Sequence, residues 1–237
     1  MTLPLNTSAN PSDPIAQARY NMIEQQIRPW NVLDADVLDL LAVVRREDFV
    51  PPAYRSMAFM DIEIPLLGGD AEEAVRQGHS MLQPRVEARI LQDLRILPTD
   101  RVLEIGAGSG YMAALLAHRA ERVVSLEIHP ELADMARQNL RNAGVQNADV
   151  YQADGAQGAI PDGPFDVIVL SGSVAEVPAA LLSHLKDGGR LGAIVGGEPV
   201  MRFTLTHRKG DRFETASPWD TIAPRLAHFP EPSGFTF

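Results

Sequence analysis

Apolar residues in the first hundred positions recur at helical spacing. Ile15, Ala18, Met22, Ile23 and Ile27 share one face of a predicted helix that Asp13 caps, Pro14 opens and Pro29 ends. Val37, Leu38, Leu41 and Val44 mark a second, capped by Asp34 and broken at Phe49-Val50-Pro51-Pro52. A third starts at Pro84 and continues through Val86, Ile90, Leu94 and Leu97. Residues 54–83 show no period, and Gly68-Gly69 interrupts their apolar pairs. A segment that long between regular elements points to function rather than connection.

From residue 101 the pattern changes, and short apolar runs alternate with helical ones. Strands are expected at 101–105, 122–127, 148–152, 165–170 and 189–195, and helices at 109–119, 130–143 and 176–186. Such alternation implies an α/β domain with a mainly parallel sheet and helices on both faces. Residues 200–207 and 212–216 read as an antiparallel hairpin around Lys209-Gly210-Asp211. Residues 1–12, rich in Asn, Ser, Pro and Thr, read as a mobile tail. Residues 13–237 form one domain, with a helical extension at 13–98 and a ligand-binding core at 99–237.

The core is organised around Arg101 to Tyr111. An apolar strand, Val102 to Ile105, stops at Gly106; Gly108 and Gly110 follow on alternate positions, and a helical pattern begins. Strand, glycine turn and helix in that order place a ligand at the sheet's carboxyl edge. The run is G-x-G-x-G rather than the dinucleotide fingerprint, and Glu104 precedes it by two residues. A carboxylate there repels phosphate and suits a cationic amine. A second acid, Glu127, ends the next apolar run, where a carboxylate accepts hydrogen bonds from both hydroxyls of a ribose. Ribose plus amine without phosphate describes S-adenosyl-L-methionine better than NAD.

Composition narrows the partners. A net charge of −10 disfavours nucleic acid, whose binding rests on Lys and Arg, and the pair Arg208-Lys209 is isolated. With no cysteine, disulfides and thiolate metal sites are excluded, and the six scattered histidines lack ligand spacing, so no metal is expected. No apolar run reaches the ~20 residues that span a bilayer, and residues 1–12 lack the features of a signal peptide. No membrane partner is expected, and the cytoplasm is the default location.

Val102 to Tyr111, Glu127, Asp154-Gly155, Pro164 to Ile168 and Leu185 to Leu191 together resemble the class I S-adenosylmethionine-dependent methyltransferases. Within these, the chain is most similar to the protein-L-isoaspartate O-methyltransferase family. Arg45 to Pro51, Tyr54-Arg55, Ala58 to Asp61 and Pro65 extend the likeness upstream, and Gly78 to Pro84 occupies the place of the family's Gly-Gln-Thr-Ile-Ser-x-Pro signature. The resemblance implies a Rossmann-like seven-stranded methyltransferase fold, with the N-terminal extension carrying the acceptor loop. It implies methyl transfer to the side-chain carboxylate of isoaspartyl residues in damaged proteins. Carried over by position, Glu104, Gly106, Gly108, Ser109 and Gly110 hold the methionine end. Glu127 and Ile128 hold the ribose, and Asp154 the adenine amino group, with Gly155 leaving room beside it.

The departures from the family fall on the acceptor side. The family's serine stands at Leu82, and Ser80, where the family has threonine, is the hydroxyl left to orient an acceptor. His79 replaces the family's glutamine, and an extra stretch, Leu67 to Gln77, lies between Pro65 and Gly78. Two further functions therefore stay open: methyl transfer to a different acceptor, such as a small molecule, and cofactor binding without catalysis.

Overall fold

The computed structural model describes residues 13–157 and 160–231. The expected tail at 1–12 lies outside the described residues. Helix α1 (Pro14–Met22) starts where the Asp13 carboxylate accepts from the Ile15 amide at 3.0 Å. Its path continues through a π turn (Ile23–Ile27) and a 3-10 turn (Arg28–Trp30), and Asn31 ends it at a left-handed φ of 63°. Helix α2 (Ala35–Val43) is capped by Asp34, as its sequence predicts.

The segment read as irregular is partly ordered. Strand β1 (Ile64–Pro65) pairs antiparallel with β2 (Ser80–Met81). Helix α3 (Ala71–Arg76), capped by Asp70, fills the loop between them. Two-residue strands and a six-residue helix are too short to show a period, so the sequence carries no signal for them. Helix α4 (Pro84–Leu94) stops one turn before expectation because Arg95 turns left-handed, at φ 50°. Leu97 therefore lies beyond it and is exposed.

The main sheet has seven strands: β3 (Arg101–Ile105), β4 (Arg122–Glu127), β5 (Ala148–Gln152), β6 (Phe165–Val174), β7 (Leu185–Gly197), β8 (Val200–Lys209) and β9 (Arg212–Thr221). Their order is β5-β4-β3-β6-β7-β8-β9, parallel from β5 to β7 and antiparallel at β8 and β9. The chain enters at β3, steps outward to β5, then returns to the other side of β3 at β6. That reversal makes the carboxyl end of β3 the crevice where open α/β sheets bind ligands.

Alternate residues of each strand face opposite layers. Val102, Val123, Val167 and Val169 pack on one side, and Leu103, Ile105, Val124, Leu126, Ile168 and Leu170 on the other. Burying each such side chain stabilises by roughly 1.5–3 kcal/mol over leaving it exposed. Helices α4, α5 (Tyr111–Ala117) and α6 (Pro130–Asn142) all cover the first layer. The helices expected on both faces thus fall mostly on one. Among the described residues the other face has only α7 (Ala179–Leu182), the remnant of the helix read at 176–186, together with loops and Phe229. The connection at 153–164 contains Gly155, Pro161, Gly163 and Pro164, which disfavour a helix there. No helix among the described residues is long and apolar enough to cross a membrane.

Candidate active site

Three strand ends converge at the crevice. After β3 the backbone turns at Gly106, held at φ 92°, and the amides of Gly106 and Ala107 both donate to the Leu126 carbonyl. The turn brings the Gly108 amide to 2.9 Å from Glu127 Oε2, while the His129 amide donates to Glu127 Oε1 at 2.9 Å. Glu127 is thereby fixed by backbone donors on both oxygens. At the end of β5, Asp154 accepts from the Ala156 amide at 2.9 Å and pairs with His228 Nδ1 at 2.7 Å.

Glu104 sits deeper and is fully buried. Ser125 donates to its Oε2 at 2.6 Å and Ser171 to its Oε1 at 2.8 Å. Burial pushes the Glu104 carboxyl up to about 7, against the opposing pull of the two hydroxyls. Ser171 reaches Glu104 from the distorted end of β6, where the register with β7 shifts between Val169 and Ser173.

These groups line two adjoining cavities. The larger, about 680 Å³, is bordered by Gly106, Gly108, Glu127, Ile128, Asp154 and Gly155. The smaller, about 270 Å³, is bordered by Ser80, Leu82, Glu104 and Ser109. Ser80, Gly106, Gly108 and Ser171 border both. Every sequence-predicted site residue except Gly110 therefore meets at one crevice. Gly110 instead caps α5 at φ 83°, and a Cβ there would lie 3.1 Å from the Ala136 backbone. Its bareness serves helix packing rather than a cavity wall. The room beside Gly155 is likewise filled by Ile105, 2.6 Å from where a Cβ would stand.

The segment at 66–82 closes the crevice from the other side. Leu66 packs against Gly108, and its amide donates to the His79 carbonyl at 2.9 Å. His79 lies edge-on to His129, with ring centroids 4.8 Å apart, and burial followed by His129 lowers its pKa. Ser80 Oγ is buried without a hydrogen-bond partner. Leu82 is buried, and Arg46 Nη2 holds its carbonyl at 2.8 Å while pairing with the buried Glu87. Sequence reasoning missed Ser125, His129 and the segment Arg225–Phe229 as site components. Ser125 did carry a signal, as the lone hydroxyl inside the apolar run Val123 to Leu126. Asp166, by contrast, lies at the start of β6 and binds the Arg101 amide and Lys186.

The family model for protein-L-isoaspartate(D-aspartate) O-methyltransferase matches residues 17–221. The chain belongs to this family. A protein-L-isoaspartate O-methyltransferase from Methanoculleus marisnigri is 39% identical over 204 residues, covering 86% of this chain and 89% of the relative. One from Koribacter versatilis is 35% identical over 196 residues, covering 83% and 84%. Among solved structures, a protein-L-isoaspartate O-methyltransferase aligns with a TM-score of 0.74 at 23% identity, over 88% of this chain and 66% of that one. A Plasmodium falciparum chain described as a protein-L-isoaspartate O-methyltransferase, in complex with S-adenosyl-L-homocysteine, aligns at 0.72 and 18% identity, over 90% and 98%. At those identities the two structures speak for the fold. The family match ends at β9, so the segment Arg225–Phe229, which lines the larger cavity, lies beyond it.

Proposed function

We propose that this chain is an S-adenosyl-L-methionine-dependent O-methyltransferase that esterifies the side-chain carboxylate of L-isoaspartyl residues in proteins. The observation that carries the reading is the meeting of Glu104, Glu127 and Asp154 at one crevice, in a chain of this family. The donor set fits a sulfonium nucleoside. Glu127 would take the ribose hydroxyls, Asp154 the adenine amino group, and Glu104 the methionine ammonium. Gly106 and Gly108 present bare backbone, and Ser109 and Ile128 flank it. A phosphorylated cofactor fits poorly. The one arginine of the larger cavity, Arg225, is already bound to the Gly196 carbonyl and Glu231.

When bound, the cofactor supplies a methyl group on a good leaving group. The protein's own part is modest, because an acceptor carboxylate is ionised at neutral pH and needs no general base. Ser80, whose hydroxyl is unpartnered, orients that carboxylate where the family serine is replaced by Leu82. The surrounding loop excludes water, and alignment of the reactants supplies most of the rate. The net charge of −10 fits a protein or peptide partner rather than nucleic acid.

Leu82 and the folded insertion around α3 favour one second reading, a different carboxylate acceptor. Purified protein, cofactor and a pair of peptides differing only in isoaspartyl against aspartyl linkage decide between them. The isoaspartyl peptide gains the mass of one methyl group and its twin does not. Cofactor binding without methylation of the isoaspartyl peptide would leave the second reading in place.

A further inference from the structure

Beyond β9 the chain doubles back across the crevice. The Ser173 amide donates to the Pro224 carbonyl at 2.7 Å, and the Leu226 amide to the Ser173 carbonyl at 2.9 Å, so Arg225 lies parallel to the end of β6. Arg225 Nη2 binds the Gly196 carbonyl at 2.8 Å. The Leu226 side chain lies over the glycine turn, 3.0 Å from where a Gly106 Cβ would stand and 2.8 Å from a Gly172 Cβ. Phe229 is buried in the second layer of the core. Between these anchors His228 adopts a left-handed φ of 65°, a conformation that costs a residue with a Cβ, and places Nδ1 on Asp154. Strain at a residue that is half exposed needs a reason, and among the described residues its side-chain hydrogen bond goes to the carboxylate at the adenine end.

Resting on the cofactor reading given under the proposed function, we propose that His228 is a positioning residue for the cofactor, fixing the Asp154 carboxylate in the cavity. Asp154 Oδ1 is held by the Ala156 amide and Oδ2 by His228, so neither oxygen is free to rotate. A carboxylate has about four acceptor sites, so a base amino group joins these donors without displacing them. Burial pushes the Asp154 carboxyl up, but hydrogen bonds from His228 and Ala156 outweigh it and keep the group below the ordinary carboxylate range. An ionised, oriented acceptor is what an exocyclic amine requires. No residue of the segment Pro224–Phe229 falls within the span matched by the family model.

Titration calorimetry with S-adenosyl-L-homocysteine and with S-inosyl-L-homocysteine, which lacks the base amino donor, tests this. His228→Ala should raise the Kd of the adenosyl ligand about tenfold, the scale of one charge-assisted hydrogen bond, and leave the inosyl ligand unchanged. His228→Asn keeps a donor at the Nδ1 position and tolerates positive φ, so it should restore affinity to within about threefold. Equal weakening of both ligands, or wild-type affinity in His228→Ala, overturns the inference while leaving the cofactor assignment intact. Failure of wild-type protein to bind the adenosyl ligand overturns both.

Discussion

The cofactor side and the acceptor side of the crevice are built by different means. On the cofactor side, long parallel strands end together, and backbone amides fix Glu127 directly. On the acceptor side, two-residue strands and a six-residue helix are held by scattered contacts: the Leu66–His79 hydrogen bond, the Asp61–Arg85 ion pair, and Arg46 reaching from a separate turn to the Leu82 carbonyl. The geometry of the first side follows from the sheet. The second depends on a few buried polar links.

The sharpest way to break the contrast is to cut the link behind Leu82. Arg46 and Glu87 are both buried, and burial already pushes the Glu87 carboxyl up to about 7, so Arg46→Ala strands a buried carboxyl and the Leu82 carbonyl and should cost about 3–5 kcal/mol in chemical denaturation. A loss below about 1 kcal/mol would mean that the acceptor loop stands without this pair. Next in size is Gly110→Ala on the cofactor side, where positive φ and the Ala136 backbone both oppose a side chain. About 2–3 kcal/mol is expected from strain plus overpacking. The matching change in the insertion, Gly68→Ala, meets nothing within 4 Å and should shift stability by under about 0.5 kcal/mol. Similar costs at the two glycines would erase the distinction.

Much of this contrast was already legible in the chain. The alternation of apolar runs after residue 101 fixes strand number and direction; Glu104 interrupts the apolar run of β3, and Glu127 stands where the run of β4 ends. The acceptor side was not legible, because its shape comes from partners far apart in sequence. Arg46 and Leu82, or Asp61 and Arg85, show no periodic relation. Helix 176–186 was over-read because its apolar residues belong partly to β7, which begins at Leu185. The segment Pro224–Phe229 was missed for the same reason as the acceptor loop: Leu226 and His228 matter only for what they touch.

Two functional predictions separate the sides further. Glu104 titrates at about 7 against an ordinary 4.5, so the folded state keeps a proton that the unfolded chain releases. Its contribution to stability is present below about 4.5 and lost as pH rises through about 7. A ligand ammonium favours the ionised form, so affinity for S-adenosyl-L-homocysteine should rise with pH up to about 7, by at most about tenfold per unit, then level off. Glu104→Gln should flatten that slope, and a slope that persists in the variant would show that another group titrates. The last change is Ser80→Ala. It should lower kcat/KM for an isoaspartyl peptide by about tenfold, the scale of one hydrogen bond, with cofactor affinity unchanged. Weaker cofactor binding would move Ser80 to the cofactor side.

The most direct measurement is a crystal structure grown with S-adenosyl-L-homocysteine. The account predicts the ribose hydroxyls on Glu127, the adenine amino group on Asp154 and the ammonium toward Glu104. Ligand bound elsewhere, or this crevice empty at saturating concentration, would contradict it.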